Sequence, residues 1–332
     1  MNIIHTNNHM DLRDFEYFLA VVEAKSVTLA ARRVHAAQPT LSHALARLEN
    51  ELGERLLERK ARSPLRLTDA GEVVAARARQ ALSAVTALKD DLGSLRGQIG
   101  GNLRIAAIQS LSATLLPGVL ARLASEYPSI KSSVRTLAAE SIARAVASGR
   151  ADVGLLAGAP RASLRGLSIK VLFEEPLVAL MRRTDPLAGA KRLRMSQLAA
   201  RELVLVPDGT FLSDLIRAAC DAAGFAPNVR LTLASAEALR ETVRAGLGVT
   251  ILPRGYASPA DRELVAVPLT HPTPRREVLL VERGPNQLAT PRAVVAFTQI
   301  LAEQQQLARA QPSRGRGRRG AGLKRASGVL GS

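Results

Sequence analysis

The clearest chemistry in the chain lies in the stretch QPTLSHALAR, where Gln38, Thr40, Ser42, His43 and Arg47 mix hydrogen-bond donors, acceptors and a cation. Leu41, Leu45, Leu48 and Leu52 recur between them at steps of four and three. That spacing puts the leucines on one helical face and turns the polar set to the other. Glutamine can form a pair of hydrogen bonds with adenine, serine and threonine can meet base edges or phosphate, and arginine can reach guanine or phosphate. Periodicity alone fits an ordinary solvated helix face equally well. The neighbouring elements therefore decide what this face does.

Other chemistries lack their residues. The sequence contains no P-loop, no HExxH, no CxxC and no G-x-S-x-G elbow, and GLGVTI has two glycines rather than a dinucleotide fingerprint. His5, His9, His35, His43 and His271 are not at metal-ligand spacing, and the first two precede Met10, a second candidate start. Cys220 is the one cysteine, which rules out an intrachain disulfide and fits a reducing compartment; in the helical pattern LIRAACDAAG it reads as a small core residue. No catalytic residue, metal or cofactor is assigned, and the chain is not read as an enzyme. With 332 residues, 47% of them hydrophobic, it can bury two or three packed units. No apolar run reaches the length of a membrane span and no secretion leader is apparent, so the expected location is the cytoplasm.

The elements that would position the polar face lie around it. DLRDFEYFLAVVEA predicts an amphipathic helix with Leu12, Phe15, Leu19 and Val22 inward and Asp11 as its cap. Ser26 can cap a second helix whose Val27, Ala30, Ala31 and Val34 share a stripe. After a break at HAAQ a third begins near Pro39, favourable in a first turn, and Gly53 ends it. Small alanines where two helices must approach make a helix-turn-helix the natural packing. Next, ERKARSPLRLTDAG carries Arg59, Lys60, Arg62 and Arg66 around a Ser63-Pro64 turn, as expected of a basic wing along phosphates.

The run SVTLAARRVHAAQPTLSHALARLENELGERLLER, followed by LRLTDAG, resembles the winged helix-turn-helix of LysR-type transcriptional regulators. Ser26, Thr28, Ala30, Ala31, Gln38, Pro39, Ser42, Leu48, Glu49, Leu52, Gly53, Leu56, Arg59, Leu67, Thr68 and Gly71 match that pattern in order and spacing. The resemblance implies that Gln38, Pro39, Ser42 and His43 read DNA, with Thr40 on the same face, and that Arg32, Arg33, Arg47 and the wing contact phosphate beside Ser26 and Thr28. Two departures stand out. Ala37 occupies the place of a capping serine, and Leu57 that of a phenylalanine.

Beyond the wing, Thr68 can cap a long helix to about Leu92, in which Val74, Ala78, Ala81, Val85, Leu88 and Leu92 form a heptad seam. So narrow a seam suits pairing with a second copy, and the resemblance implies a dimerising linker. GSLRGQIGG then reads as a hinge. From Asn102 short strands such as LRIAAI, SSVRTLA, ADVGLL, ELVLVP, VRLTLA and VTILP alternate with helices, which predicts an α/β region of mostly parallel sheets. LSIKVLFEEPLVALMRR reads as a strand pair containing a crossover. The resemblance implies two α/β subdomains, periplasmic-binding-protein-like, with the chain returning to the first after about Leu269. The expected organisation is a winged helix-turn-helix over 10–67, a linker helix over 68–96, an effector domain over 97–305 and a disordered basic tail over 306–332. The tail carries Arg309, Arg314, Arg316, Arg318, Arg319, Lys324 and Arg325 with no acid, within a formal net charge of +17.

Loops at helix N-termini beside a cleft can hold small acids. The candidates are Gln109, Ser110, Ser112 and Thr114 after the first strand, Pro207, Asp208, Gly209 and Thr210 after a later one, and Thr136 between them. Each hydroxyl alone is more often a cap or turn residue than a ligand contact. The expected function is a DNA-binding regulator sensing an organic acid or aromatic carboxylate, as a homodimer or homotetramer, with duplex DNA and RNA polymerase as partners and no membrane. A cytoplasmic small-molecule-binding module without DNA activity would leave the first 95 residues unexplained. Replacing Arg59 and Arg62 with alanine should weaken binding to every duplex alike and lower the salt slope, log K against log salt, by roughly two. An unchanged slope in a titration would place the wing outside the interface.

Overall fold

The computed structural model describes residues 10–58, 65–94, 99–158, 166–258, 260–284 and 290–310. Helices α1 (Leu12–Ala24), α2 (Val27–Arg33) and α3 (Gln38–Leu52) pack around Phe18, Val21, Ala30, Leu41, Leu45 and Leu48, all essentially inaccessible. The caps are those expected. Asp11 accepts from the Asp14 N–H at 2.9 Å, Ser26 accepts from the Leu29 N–H at 3.3 Å, and Gly53 closes α3 at φ +69°. A short antiparallel pair, β1 (Leu57–Glu58) and β2 (Arg66–Leu67), forms the base of the wing. Helix α4 (Asp69–Ser94) follows, with the Gly71 N–H donating to Thr68 Oγ1 at 2.9 Å. Gly71 is obligatory here, because a Cβ would lie 2.1 Å from the Leu56 carbonyl oxygen.

Three details correct the expected stripes. On α1 Leu19 is buried as expected, together with Asp14, Tyr17, Phe18 and Val21, while Leu12 is 43% exposed and Phe15 and Val22 are half-buried. The spacing i, i+3, i+4, i+7 is intact, but an acid heads it. On α3 Ala44 joins the core and Leu52 is exposed. On α4 the N-terminal half of the seam belongs to the head: Ala78 is wholly buried with Ala75, and Val74 packs on the same core. Ala81 and Val85 are half-buried, and Leu88 and Leu92 remain exposed at 60% and 54%.

The remainder forms two subdomains on a shared sheet of order β4-β3-β5-β12-β6-β11-β7, with β10 added to β6. In the first, β3 (Gly101–Ala107) pairs in parallel with β4 (Ile130–Thr136) and β5 (Val153–Ala157), and β12 (Arg275–Arg283) lies antiparallel to β5. Helices α5 (Gln109–Thr114), α6 (Leu116–Glu126) and α10 (Arg292–Ala310) belong to one face, where Phe297, Ile300 and Leu301 meet Ile105, Val119 and Leu123. Helix α7 (Ala139–Ala147) closes the other with Ile142 and Val146. In the second subdomain, β10 (Thr250–Pro253) and β11 (Leu264–Thr270) run antiparallel to β6, while β11 pairs in parallel with β7 (Leu193–Arg194) and β8 (Leu203–Leu205) with β9 (Val229–Thr232). Helices α8 (Phe211–Ala222) and α9 (Ala236–Arg244) cover it.

Pairing is thus mixed rather than mostly parallel, because β6 and β12 meet every long neighbour antiparallel. The segment read as a strand pair is a single strand, β6 (Leu167–Arg182), running from one subdomain into the other. The return after Leu269 is as expected, through β12 and α10. Helix α10 continues to Ala310, past the expected start of the tail at 306, and residues 311–332 lie outside those described.

Where β6 crosses, Glu175 faces Arg276 of β12 in register. Both are buried, and the guanidinium donates to Glu175 Oε2 through Nε at 2.9 Å and Nη2 at 2.7 Å. The Gly255 N–H, in a 3-10 turn over Arg254–Tyr256, donates to Glu175 Oε1 at 2.7 Å, and Arg276 Nη1 donates to Ser110 Oγ at 2.9 Å. One carboxylate and one guanidinium therefore tie β6, β12, α5 and the turn after β10. Arg276→Met should cost about 3–5 kcal/mol in urea unfolding by leaving a buried carboxylate without its counter-ion, and adding Glu175→Leu should recover most of that loss. A single-variant loss below about 1 kcal/mol would demote the pair to a minor contact.

Candidate nucleic-acid interface and effector cleft

Helix α3 begins immediately after a turn in which His35 adopts φ +52°, and it places Gln38 and Pro39 in its first turn. Its N-cap, Ala37, supplies no side-chain acceptor, so no side chain caps the first-turn amides. Gln38, Pro39, Thr40 and His43 are exposed and Ser42 is half-buried. They form one continuous polar surface backed by Leu41, Leu45 and Leu48. On α2, Thr28, Arg32 and Arg33 are exposed on the same head. The two arginines make no ion pair among the described residues, so their charge is available to an anionic partner. Ser26 is committed to capping α2.

Arg47 behaves differently from its neighbours. Its Nε donates to Asp14 Oδ2 at 3.1 Å and its Nη2 forms an ion pair with Asp14 Oδ1. Asp14 is 1% exposed and also accepts from the Asp11 N–H at 3.1 Å. The bond to Asp14 is the main cause that raises the Arg47 pKa. Arg47, expected to contact phosphate, braces α3 against α1 through this pair, with its side chain still 37% exposed. Asp14 was missed because an acid inside an apolar stripe looks like an interruption; its position three residues after a capping aspartate was the available signal. Arg59, Lys60 and Arg62 lie outside the described residues.

In the effector domain the first loop folds as α5. Ser112 accepts from Thr136 Oγ1 at 3.3 Å, so these two candidates are brought together between α5 and the end of β4. Ser110 is held by Arg276, and Thr114 donates to the Ser110 carbonyl at 2.7 Å. Gln109 reaches across to Glu237 of α9 at 3.4 Å, which places it between the subdomains. The second loop is largely occupied with its own helix. Thr210 caps α8 by accepting from the Ser213 N–H at 3.1 Å and donates to the Pro207 carbonyl, while Asp208 pairs with Arg217 at 2.7 Å and accepts from Ser213. Gly209 takes φ +80° in the turn.

Sequence reasoning did not single out Phe211, the first residue of α8. It is 44% exposed, yet its ring sits so close to Gly158, after β5, that a Cβ there would lie 2.5 Å from the ring. Gly158 also has φ +76°, so both backbone and space exclude a side chain. The ring of one subdomain thus rests on the backbone of the other. An aromatic directly after the PDGT turn was the signal available in the sequence. Cys220, on α8, is fully buried among apolar residues, and burial pushes its thiol up to about 11.

The chain matches two family models: the bacterial regulatory helix-turn-helix of the lysR family over residues 12–72, and the LysR substrate binding domain over residues 96–306. A hydrogen peroxide-inducible genes activator of Pectobacterium carotovorum subsp. carotovorum is 34% identical over 279 residues, 82% of this chain and 90% of that protein. The transcriptional dual regulator GltC of Bacillus subtilis (strain 168) is 31% identical over 281 residues, 84% of this chain and 93% of that protein. Among solved structures, a full-length OxyR variant from Pseudomonas aeruginosa superposes with a TM-score of 0.70 at 25% identity, covering 89% of this chain and 98% of that one. CbnR complexed with its target DNA shares the fold, with a TM-score of 0.62 at 24% identity, covering 89% of this chain and 99% of that one. With its winged helix-turn-helix head and two-subdomain α/β effector domain, the chain belongs to the LysR family of DNA-binding transcriptional regulators.

Proposed function

We propose that Gln38, Pro39, Thr40, Ser42 and His43 enter the major groove, with Thr28, Arg32, Arg33 and the wing on flanking phosphates. The carrying observation is the polar face of α3, with Gln38, Thr40 and His43 exposed over buried Leu41, Leu45 and Leu48, held in orientation by the Asp14–Arg47 pair. The exposed Leu88 and Leu92 on α4 support assembly as a homodimer or homotetramer, which would present paired reading heads to a two-fold operator. Gln38→Ala and Ser42→Ala should each lower discrimination between operator and random duplex by about 1–3 kcal/mol in competitive gel shifts. Equal losses on both sequences would remove base readout from this face.

The regulating signal is proposed to be a small acid with a flat apolar body, bound between the subdomains. The paired hydroxyls of Ser112 and Thr136 supply polar contacts, and the half-exposed ring of Phe211 supplies a stacking surface. Closure on such a ligand would bias one subdomain arrangement over another. A peroxide signal read through cysteine is not favoured for this chain, because Cys220 is its one cysteine and a buried thiol at about 11 forms little thiolate. A thermal-shift screen of organic and aromatic acids should find a stabiliser lost in both Ser112→Ala and Phe211→Ala, while hydrogen peroxide leaves DNA binding unchanged. A stabiliser retained in both variants would move the site elsewhere, and peroxide-dependent binding would reinstate the thiol.

A further inference from the structure

Strand β4 stands at the end of the first subdomain's sheet and is exposed along nearly all its length. Its Arg135 is in register with Ala106 of β3, which belongs to the core under α7, so Arg135 emerges on the α7 side. There Arg135, Arg144 of α7 and Arg150, shortly after α7, line one cavity of about 280 Å3. Its floor is apolar, with Ala106 and Ala151 buried and Leu137 half-buried. No described carboxylate lines it.

The three guanidinia have no counter-charge. Arg135 makes no hydrogen bond or ion pair with any described residue. Arg144 Nη2 reaches Ser141 Oγ at 3.5 Å and Arg150 Nε donates to Ser148 Oγ at 3.0 Å, so both meet neutral hydroxyls. Glu140, one turn before Arg144, forms no ion pair with it, and Asp152 is taken up by Arg104 at 2.7 Å. Elsewhere in the effector domain Arg122, Arg217 and Arg230 each hold a carboxylate. Like charges converging on a concavity with an apolar floor focus the field inside it and concentrate a counter-anion there.

We infer that this pocket binds a compact polyanion of phosphate type, gripped by Arg135, Arg144 and Arg150. A phosphate group carries about two negative charges near neutral pH and three acceptor oxygens, which guanidinium forks engage in pairs, whereas a single carboxylate leaves most of the positive charge unanswered. The volume, just below that of pockets for drug-sized ligands, suits such an ion. Arg150 directly follows Gly149, where a Cβ would lie 3.1 Å from the Cβ of Arg79 on α4. The pocket therefore adjoins the place where α4 rests on the first subdomain. Arg79 is 7% exposed, and the charge of Arg150 acts against it through space. An anion on Arg150 offsets that repulsion, so occupancy favours the docking of the helix that carries the reading head. The pocket shares no lining residue with the candidate effector loops, so the two binding proposals stand or fall independently.

The test is calorimetric titration of the full chain, in buffer free of phosphate and sulfate, with inorganic phosphate, pyrophosphate, glycerol phosphate or chloride at matched ionic strength. Pyrophosphate should bind saturably at one site. Arg144→Gln and Arg150→Gln, both at exposed positions, should each weaken that binding by about tenfold or more. Ser141→Glu, which sets a carboxylate in the pocket, should do the same, whereas Arg230→Gln on β9 should leave it unchanged. Glycerol phosphate binding as tightly as phosphate would assign a phosphate ester, and markedly weaker binding the free ion. No saturable binding of pyrophosphate, saturation by chloride alone, binding that survives both arginine variants, or an equal loss in Arg230→Gln overturns the site.

Discussion

The buried pair of Glu175 and Arg276 is the contact on which the effector half depends. It sits where β6 leaves one subdomain for the other, opposite its partner in antiparallel register. Neither charge could be buried alone without a penalty of several kcal/mol. Each therefore requires the other, and both require the donors and acceptors brought by Gly255 and Ser110. The arrangement specifies the relative position of α5 and the turn after β10. Apolar contacts of equal area would hold the halves together without choosing a single orientation.

A second polar brace does the same work in the head. Asp14 closes the capping box of α1 and holds Arg47 of α3 with one carboxylate. The orientation of the recognition helix is thus coupled to the start of the first helix rather than left to leucine packing. Leucine stripes tolerate rotation by a fraction of a turn; a two-point guanidinium–carboxylate contact does not. This constraint keeps Gln38 and His43 pointing outward from the same side of the head.

The head was almost fully legible in the sequence, because its signals are local: Asp11 and Ser26 as caps, Gly53 in the left-handed region, and Leu41, Leu45 and Leu48 at helical spacing. The family's motif covers the same residues. What was not legible depends on pairing over long separations. The antiparallel placement of β12 beside β5 and β6 joins residues about a hundred positions apart, and no periodicity reports it. The adjacent acids Glu174 and Glu175 within an apolar run were the visible trace of this site, in a segment read as a strand pair rather than as one strand. Of the candidate effector hydroxyls, those of Ser112 and Thr136 are hydrogen-bonded to one another, whereas Thr210 caps α8, as isolated threonines after a turn commonly do.

Helix α4 was read as one uniform seam, but its two ends have different owners. Ala75 and Ala78 are part of the head's core, and Leu88 and Leu92 face outward some four turns later. The head and this rod must therefore turn as one body. From Ala78 to Leu92 the rod is roughly 20 Å long at 1.5 Å per residue. A small angular change imposed at the leucine end displaces the exposed polar face of the head in proportion to that lever arm, so in the proposed paired assembly a modest rearrangement far from the head would change the spacing between the two polar faces.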